Sequence, residues 1–225
     1  MAEAAPSIGS KGRGRLIVFE GLDRSGKSTQ CARLIDHIKS QGQKVEYMRF
    51  PNRGTVIGQM IDNYLVGTSS QEDHAIHLLF SANRWEAAED IKKHLLGGTT
   101  VVVDRYYYSG CVYSAAKHNP TMDLAWCRHP EVGLPRPDLC LFLDISAEDA
   151  AKRGGFGNER YEKQEMQDRV RDLFTEMRTH ADEAEDIITV DAGRSVEEVE
   201  KTIHEIVATR LSGPPSQPLR HINPW

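Results

Sequence analysis

A strand–loop–helix motif near the amino terminus constrains the fold more than any other feature of this chain. An apolar run at residues 16–19 precedes the four residues that fill the pattern G-x-x-x-x-G-K-[ST], namely Gly21, Gly26, Lys27 and Ser28. Glycines let the loop curl so that backbone N–H groups face phosphate oxygens, and the next helix adds its positive amino-terminal end. The lysine can reach the outer phosphates, and the serine hydroxyl can hold Mg²⁺. The motif predicts a nucleoside triphosphate site.

The loop also contains two charged residues that the pattern does not require, Asp23 and Arg24. A cation inside a phosphate-binding loop can stabilise the equatorial oxygens of a phosphoryl group during its transfer. The alternative is an ordinary solvated Arg–Asp pair on a surface loop. Arg24 is therefore a candidate catalytic residue.

Apolar strands alternate with helical patterns along the rest of the chain. The predicted strands are 15–20, 44–49, 101–104, 139–144 and 187–190. The predicted helices are 27–41, 56–65, 72–96, 106–117, 147–152, 161–184 and 196–211. This alternation predicts an α/β fold of the P-loop nucleoside triphosphate hydrolase type. It would have a five-stranded parallel sheet, helices on both faces and a short glycine-rich lid.

The domain organisation follows from the same pattern and from the chain length of 225 residues. That length suits one α/β domain, predicted at 15–211 with its lid at about 153–161. We expect flexible tails at 1–14 and 212–225, the latter because it is rich in proline.

The composition narrows the possible partners and the compartment. A net charge of -5 argues against a nucleic-acid binder, and no apolar run is long enough to span a membrane. The amino terminus lacks the apolar segment of a secretory signal, although a weak organelle-targeting interpretation stays open. The four cysteines, Cys31, Cys111, Cys127 and Cys140, form no C-x-x-C pair. They are expected to be reduced thiols in a cytoplasmic or nuclear protein.

Further charged residues lie where the predicted strands end. Asp104 ends its strand as a carboxylate that can hold Mg²⁺ directly or through water. Arg105 follows it, Arg53 follows the second strand and Arg84 lies on the long helix. Because ligands of such sheets bind at the carboxyl ends of the strands, these arginines could surround a second phosphate opposite the loop. Alternatively, each arginine pairs with a surface carboxylate.

Five segments of the sequence resemble those of a known family. The segments EGLDRSGKST (20–29), RFP (49–51), LFSANRWE (79–86), DRY (104–106) and AKRGGFGNERY (151–161) closely resemble those of thymidylate kinase (dTMP kinase). The resemblance covers roughly residues 15–210, with the motifs in family order. By having an arginine inside the phosphate-binding loop, the chain resembles the eukaryotic-type subgroup of this family. Asn52 departs from the acidic residue of some relatives, so local contacts between donor and acceptor are expected to differ.

The resemblance implies a role for each site residue. The expected ATP-binding residues are Gly21, Arg24, Ser25, Gly26, Lys27, Ser28, Thr29 and Arg153, the last lying against adenine. The expected dTMP-binding residues are Asp23, Phe50, Arg53, Phe80, Arg84, Arg105, Gly110, Tyr113, Tyr161 and Gln167. In that group Asp23 would bond the 3′-hydroxyl, Phe80 would stack on thymine and Arg84 would donate to a thymine carbonyl. The expected catalytic residues are Arg24, Lys27, Asp104 and Arg105, with Ser28 and Asp104 at Mg²⁺.

The expected reaction is transfer of the γ-phosphoryl group from ATP to dTMP, giving ADP and dTDP. The resemblance also implies a homodimer. One alternative keeps the fold and changes the acceptor to a nucleoside or another nucleoside monophosphate. A second alternative is a P-loop GTPase switch, which would need an N-K-x-D or T-K-x-D segment that is not present in the chain.

Overall fold

The computed structural model describes residues 12–153, 160, 161, 163–213 and 218–225. Within these residues, one sheet of parallel strands has the order β2-β3-β1-β4-β5. The strands are β1 (Leu16–Gly21), β2 (Val45–Arg49), β3 (Thr100–Asp104), β4 (Leu139–Asp144) and β5 (Ile187–Asp191). Because β1 lies between β3 and β4, the strand order changes direction there, and ligand sites of open parallel sheets form at such a point. The predicted five-stranded parallel sheet is confirmed.

Helices cover both faces of the sheet. They are α1 (Lys27–Ser40), α2 (Val56–Leu65), α3 (Asp73–Glu86), α4 (Ala88–Leu96), α5 (Tyr107–Ala115), α6 (Leu124–Arg128), α7 (Ala147–Lys152), α8 (Gln164–Thr179), α9 (Ala181–Ala184) and α10 (Val196–Arg210), with a 3-10 helix at His129–Glu131. In the part of the chain that the structure describes, no helix is both long and apolar enough to cross a membrane.

Alternate side chains of the strands belong to two separate hydrophobic cores. Leu16 and Val18 of β1 pack with the face covered by α4, α5 and α8. Ile17 and Phe19 pack on the other face, with apolar residues of α1 and α10. Both sets are almost completely buried. A strand buried on both faces explains the nearly continuous apolar sequence before the phosphate loop.

Three parts of the helix prediction are wrong. The predicted helix 72–96 is two helices, α3 and α4, which meet at Ala87. The N–H of Ala87 donates to the carbonyl of Arg84, three residues earlier, whereas an α-helix requires the carbonyl four residues earlier. The predicted helix 161–184 is α8 and α9, separated by the extended backbone of His180. The sequence prediction also lacks α6, which begins where the Asp123 side chain accepts from the N–H of Trp126.

The tail predictions fall partly outside the described residues, which exclude 1–11 and 214–217. Near the amino terminus, Arg13 forms an ion pair with Asp138 at 2.6 Å, and Gly14 donates its N–H to Leu95. At the other end, residues 218–225 differ from the predicted flexible tail. Ile222 is buried in the same core as Leu16 and Val18, and His221 forms an antiparallel bridge with Pro135. The physical reason is that two apolar side chains between Pro218 and Pro224 pack into the core, Leu219 partly and Ile222 completely.

Candidate active site

The phosphate loop follows β1 directly and is folded as the motif requires. Gly21, Arg24 and Gly26 all have positive φ, and at Gly21 an added Cβ would lie only 2.4 Å from the Leu143 carbonyl oxygen. Glycine is therefore required at this approach to β4. Lys27 begins α1 and donates its Nζ to the carbonyls of Gly21 at 3.0 Å and Leu22 at 2.6 Å. Burial is the largest cause that lowers the pKa of Lys27, to about 8.

The next residue of α1 connects the loop to the end of β3. Ser28 donates its Oγ to Oδ2 of Asp104 at 2.5 Å. The Tyr47 hydroxyl on edge strand β2 lies 3.4 Å from the same oxygen. A hydroxyl and a carboxylate beside a phosphate site are the oxygen ligands that suit Mg²⁺, which takes its other ligands from water and substrate phosphates. The residues present fit this ion.

Glu20 fixes the amino-terminal end of α5 and was not in our predicted site. Its buried carboxylate accepts from the backbone N–H of Tyr106 at 2.8 Å and from that of Ser109 at 3.1 Å. Burial raises the pKa of Glu20, although Arg105 and the Ser109 hydroxyl act in the opposite direction. Arg105 adopts positive φ at this turn and donates its N–H to Phe19. Glu20 therefore positions the segment that carries Arg105.

Asp23 is where the phosphate loop meets the predicted acceptor residues. Its carboxylate accepts from Nη2 of Arg105, from the Tyr113 hydroxyl at 3.2 Å and from Nε2 of Gln167 at 2.9 Å. Burial opposes ionisation, but Arg105 and Lys27 hold the pKa of Asp23 below its ordinary value. Asp23 is therefore a carboxylate at neutral pH, with α5 and α8 both bonded to it.

A cavity of about 220 Å³ opens beside this carboxylate. Nine of the predicted acceptor residues line it: Asp23, Phe50, Arg53, Phe80, Arg84, Arg105, Gly110, Tyr113 and Tyr161. The tenth, Gln167, contacts Asp23 and also donates to the carbonyl of Tyr161 at 2.8 Å. Arg53 at the rim forms an ion pair with Asp62 at 2.6 Å. The structure therefore brings the predicted acceptor set together around one space.

Arg84 is the most deeply buried cation of this cavity, with 2% of its surface exposed. Its Nε and Nη2 donate to Glu131 at 2.8 and 2.5 Å in a two-pronged pair. A Cβ on Gly110 would lie 2.5 Å from Nη2 of Arg84, so only glycine lets α5 approach the guanidinium this closely. Sequence reasoning missed Glu131. No local sequence signal locates it, because the pair joins residues 47 positions apart.

Asn52, the departure from some relatives, is an exposed residue of the turn between Pro51 and Arg53, which both line the cavity. Its backbone N–H donates to Oδ1 of Asn83 at 2.7 Å, and its own side chain accepts from the N–H of Gly54 at 3.1 Å. Phe50 precedes Pro51 through a cis peptide bond. The amide of Asn52 thus shapes the turn that carries Arg53.

The predicted lid is described only at its ends, since residues 154–159 and 162 lie outside the described residues. At one end Arg153 donates to the carbonyls of Arg24 at 3.0 Å and Ala192 at 2.6 Å, on the phosphate-loop side. At the other end Arg160 donates to the carbonyls of Tyr64 and Ser69, both at 3.1 Å. Arg153 thus lies beside the phosphate loop, and Arg160 lies beside α2.

Of the predicted ATP-binding residues, Ser25 is buried in the phosphate loop, and Thr29 is an exposed residue of α1.

A phosphate-binding loop that shares Asp23 with an arginine-rich, aromatic cavity defines the class of P-loop nucleotide kinases. Residues 19–203 match the family model of thymidylate kinase. The chain is 52% identical to thymidylate kinase of Arabidopsis thaliana over 89% of this chain and 73% of that protein. It is 45% identical to thymidylate kinase of Homo sapiens over 92% of this chain and 96% of that protein. The solved structure of thymidylate kinase from Candida albicans superposes with a TM-score of 0.86 at 37% identity, covering 95% of this chain and all of the other. The chain belongs to the thymidylate kinase family, and it is a phosphotransferase.

Proposed function

We propose that this enzyme transfers the γ-phosphoryl group of ATP to dTMP, giving dTDP and ADP. The observation that carries the proposal is the position of Asp23, which belongs to the phosphate loop and also lines the acceptor cavity. One short segment therefore brings a bound triphosphate and a bound monophosphate next to each other. Holding two reactants in line supplies much of the catalysis in phosphoryl transfer.

On the donor side, the loop amides and Lys27 would bind the β- and γ-phosphates. Ser28 and Asp104 would hold Mg²⁺, which when bound neutralises phosphate charge. Arg24 would stabilise the γ-phosphoryl group during transfer, because its backbone lies within the loop at positive φ. Arg153 would lie against adenine, since its guanidinium spans the loop and the carbonyl of Ala192 after β5.

On the acceptor side, Phe80 would stack on thymine, and Arg84 would donate to a base carbonyl. A stacked aromatic ring binds any base, so the polar partner must supply the selection. Arg53 and Arg105 would hold the phosphate of dTMP, and Asp23 would bond the 3′-hydroxyl. Phe50, Gly110, Tyr113, Tyr161 and Gln167 complete the proposed acceptor set. The phosphate of dTMP is already an anionic nucleophile, so charge neutralisation and orientation replace a strong general base.

The proposed assembly is a homodimer formed through helices of this fold. Its support is that α2 leaves Val56 and Met60 exposed, one turn apart, and α3 leaves Leu78 and Trp85 exposed, two turns apart. Exposed apolar residues at helical spacing favour a helix-packing interface.

We propose a kinase domain at 15–211 with its lid at about 153–161. A reducing compartment, cytoplasmic or nuclear, suits the four buried, unbridged cysteines.

The experiment that tests the function is an ADP-release assay with ATP, Mg²⁺ and a panel of acceptors. The panel contains dTMP, dUMP, dCMP, dGMP and thymidine. We expect strong turnover of dTMP, weaker turnover of dUMP and negligible turnover of thymidine. Preference for another monophosphate would overturn the assignment of thymine to Phe80 and Arg84. ADP release that does not depend on any acceptor would overturn the kinase proposal, and light scattering tests the dimer separately.

A further inference from the structure

Residues 218–225, which we call the strap, pair with the segment that follows the 3-10 helix. The N–H of Gly133 donates to Ile222 and the N–H of Ile222 donates to Leu134, both at 2.9 Å. The N–H of Arg136 donates to Arg220 at the same distance. The Ile222 side chain belongs to the hydrophobic core that contains Leu16 and Val18, and it is 1% exposed. The strap thus fixes the carboxyl-terminal side of the 3-10 helix.

The strap also holds the helix that precedes the 3-10 helix. Arg128, the last residue of α6, donates to the carbonyl of Asn223 and lies 4.9 Å from the Trp225 ring. The same guanidinium donates to buried Glu183 at 2.7 Å, and Nε1 of Trp225 reaches that carboxylate at 3.2 Å. The guanidinium is therefore held by the strap and by α9 together. The 3-10 helix therefore lies between two segments that the strap contacts, the end of α6 and residues 133–136.

The 3-10 helix carries Glu131, the buried partner of Arg84. This short helix also contacts α3, where Ser81 and Trp85 both donate to the carbonyl of Pro130, at 3.1 and 2.7 Å. The carboxylate of Glu131 accepts two bonds from Arg84 and is completely buried. A guanidinium held by a two-pronged pair has a fixed plane, so the position of Glu131 determines where Arg84 presents its remaining nitrogen.

We propose that the strap is a positioning element of the acceptor site, acting on Arg84 through Glu131. The strap touches none of the proposed reacting groups. It holds the 3-10 helix, and the 3-10 helix holds the carboxylate that orients the base-reading arginine. Glu131 is accordingly a positioning residue for acceptor binding. The inference rests on the proposed function, because it names what orients the residue to which base selection is assigned.

The first test removes the strap by a stop codon in place of Pro218. We expect the KM for dTMP to rise about tenfold or more, while the KM for ATP stays within about twofold. The reason is that the phosphate loop lies on elements other than the 3-10 helix and the strap. Equal changes of both KM values, or an unchanged KM for dTMP, would overturn the proposal. If the truncated chain does not fold, Trp225→Ala takes its place, with an expected rise of about threefold in the KM for dTMP alone.

A double-mutant cycle then tests whether the strap acts through Glu131. We expect Glu131→Gln to raise the KM for dTMP, and removal of the strap from that variant to raise it further by less than about twofold. Additive effects would show that the strap acts by another route and would overturn the proposal. Glu131→Asp, which keeps the charge, should recover part of the dTMP affinity that Glu131→Gln loses.

The matched control is Asp138→Asn, the equivalent change of carboxylate to amide in a partly buried arginine pair. Asp138 binds Arg13 and the N–H of Leu16 near the opposite end of the sheet. We expect a lower Tm with unchanged KM values for both substrates.

If the wild-type enzyme prefers another monophosphate, the proposed function fails. The same cycle performed with that monophosphate still decides whether the strap positions Arg84.

Discussion

The Oγ of Ser28 donates to Oδ2 of Asp104 across 2.5 Å, so the first turn of α1 is bonded directly to the end of β3. Ser28→Ala should lower kcat by about 10²-fold and raise the Mg²⁺ concentration needed for half-maximal rate, because one oxygen ligand is lost. The KM for dTMP should change little. A magnesium titration of initial rates checks this. Ser40→Ala is the matched control, since that serine ends the same helix and donates only to the carbonyl of His37. An unchanged magnesium dependence would remove Ser28 from the metal site.

Arg24→Ala should reduce kcat by at least about 10³-fold, because an arginine on the moving phosphoryl group contributes on that scale. The Kd for dTMP, measured by calorimetry, should stay within about threefold of wild type, since Arg24 is not among the residues that line the acceptor cavity. Arg33→Ala serves as the control. Arg33 lies on α1 and pairs with Glu200 on α10, away from the cavity. Turnover of Arg24→Ala close to wild type would refute the catalytic role.

Nucleotide binding should take up protons above pH 8. Burial lowers the pKa of Lys27 to about 8, so part of the population is neutral at about pH 8.5, whereas a neighbouring phosphate favours the charged form. Calorimetric titration with ADP in buffers of different ionisation enthalpy should reveal uptake of roughly half a proton. Lys27→Arg, which stays charged, should abolish the uptake. A wild-type binding enthalpy that is independent of the buffer would contradict this assignment.

His77 should make the enzyme sensitive to acid. Burial lowers its pKa to about 4, and the ring contacts the Ser114 hydroxyl and the Cys127 carbonyl, both at 2.8 Å. Between pH 6.5 and 4 the unfolded chain binds a proton that the native protein excludes. Stability therefore falls as the pH falls through this window, by roughly 3 kcal/mol in total.

The measurement is urea unfolding as a function of pH for the wild type and His77→Asn. The variant should be less stable at pH 7 but should lose less stability between pH 6.5 and 4. His118→Asn is the control, because His118 is exposed and has a positive φ that asparagine tolerates. Parallel pH profiles for wild type and His77→Asn would contradict the prediction.

Gly110→Ala should weaken acceptor binding. The added methyl would meet the Arg84 guanidinium at 2.5 to 2.9 Å, and Glu131 prevents that guanidinium from moving away freely. We expect the KM for dTMP to rise about tenfold with the KM for ATP unchanged, as measured by initial rates. The unchanged KM for ATP is the internal control. Equal kinetics for the variant and the wild type would mean that Arg84 adjusts without loss.

Much of this architecture could be predicted because the sequence patterns are local. The pattern from Gly21 to Ser28 and the apolar strands identify the sheet and the position of the loop. The acceptor residues Phe80, Arg84 and Arg105 follow from family resemblance together with strand ends. Their meeting around one cavity is a consequence of the order of the strands.

The parts that could not be predicted depend on pairing between distant segments. Glu131 lies 47 residues from Arg84, and no local pattern indicates which buried arginine takes which carboxylate. The strap contains proline, which favours a flexible interpretation, but Ile222 and Trp225 find partners only in the folded molecule. Glu20 was likewise missed, because a carboxylate inside an apolar strand is explained only by the α5 amides that it accepts.

Three consecutive residues at the end of β1 contact both the proposed ATP-binding residues and the proposed dTMP-binding residues or the helix that carries them. Phe19 and Gly21 give their carbonyls to Arg105 and Lys27, and Glu20 between them holds the start of α5. A substitution that shifts this tripeptide would disturb donor and acceptor binding together. Efforts to retune this enzyme for unnatural nucleotides should therefore leave β1 intact and introduce diversity on α3 and on the 3-10 helix. In the proposed site, those elements carry Phe80, Arg84 and Glu131 on the acceptor side and none of the proposed ATP-binding residues.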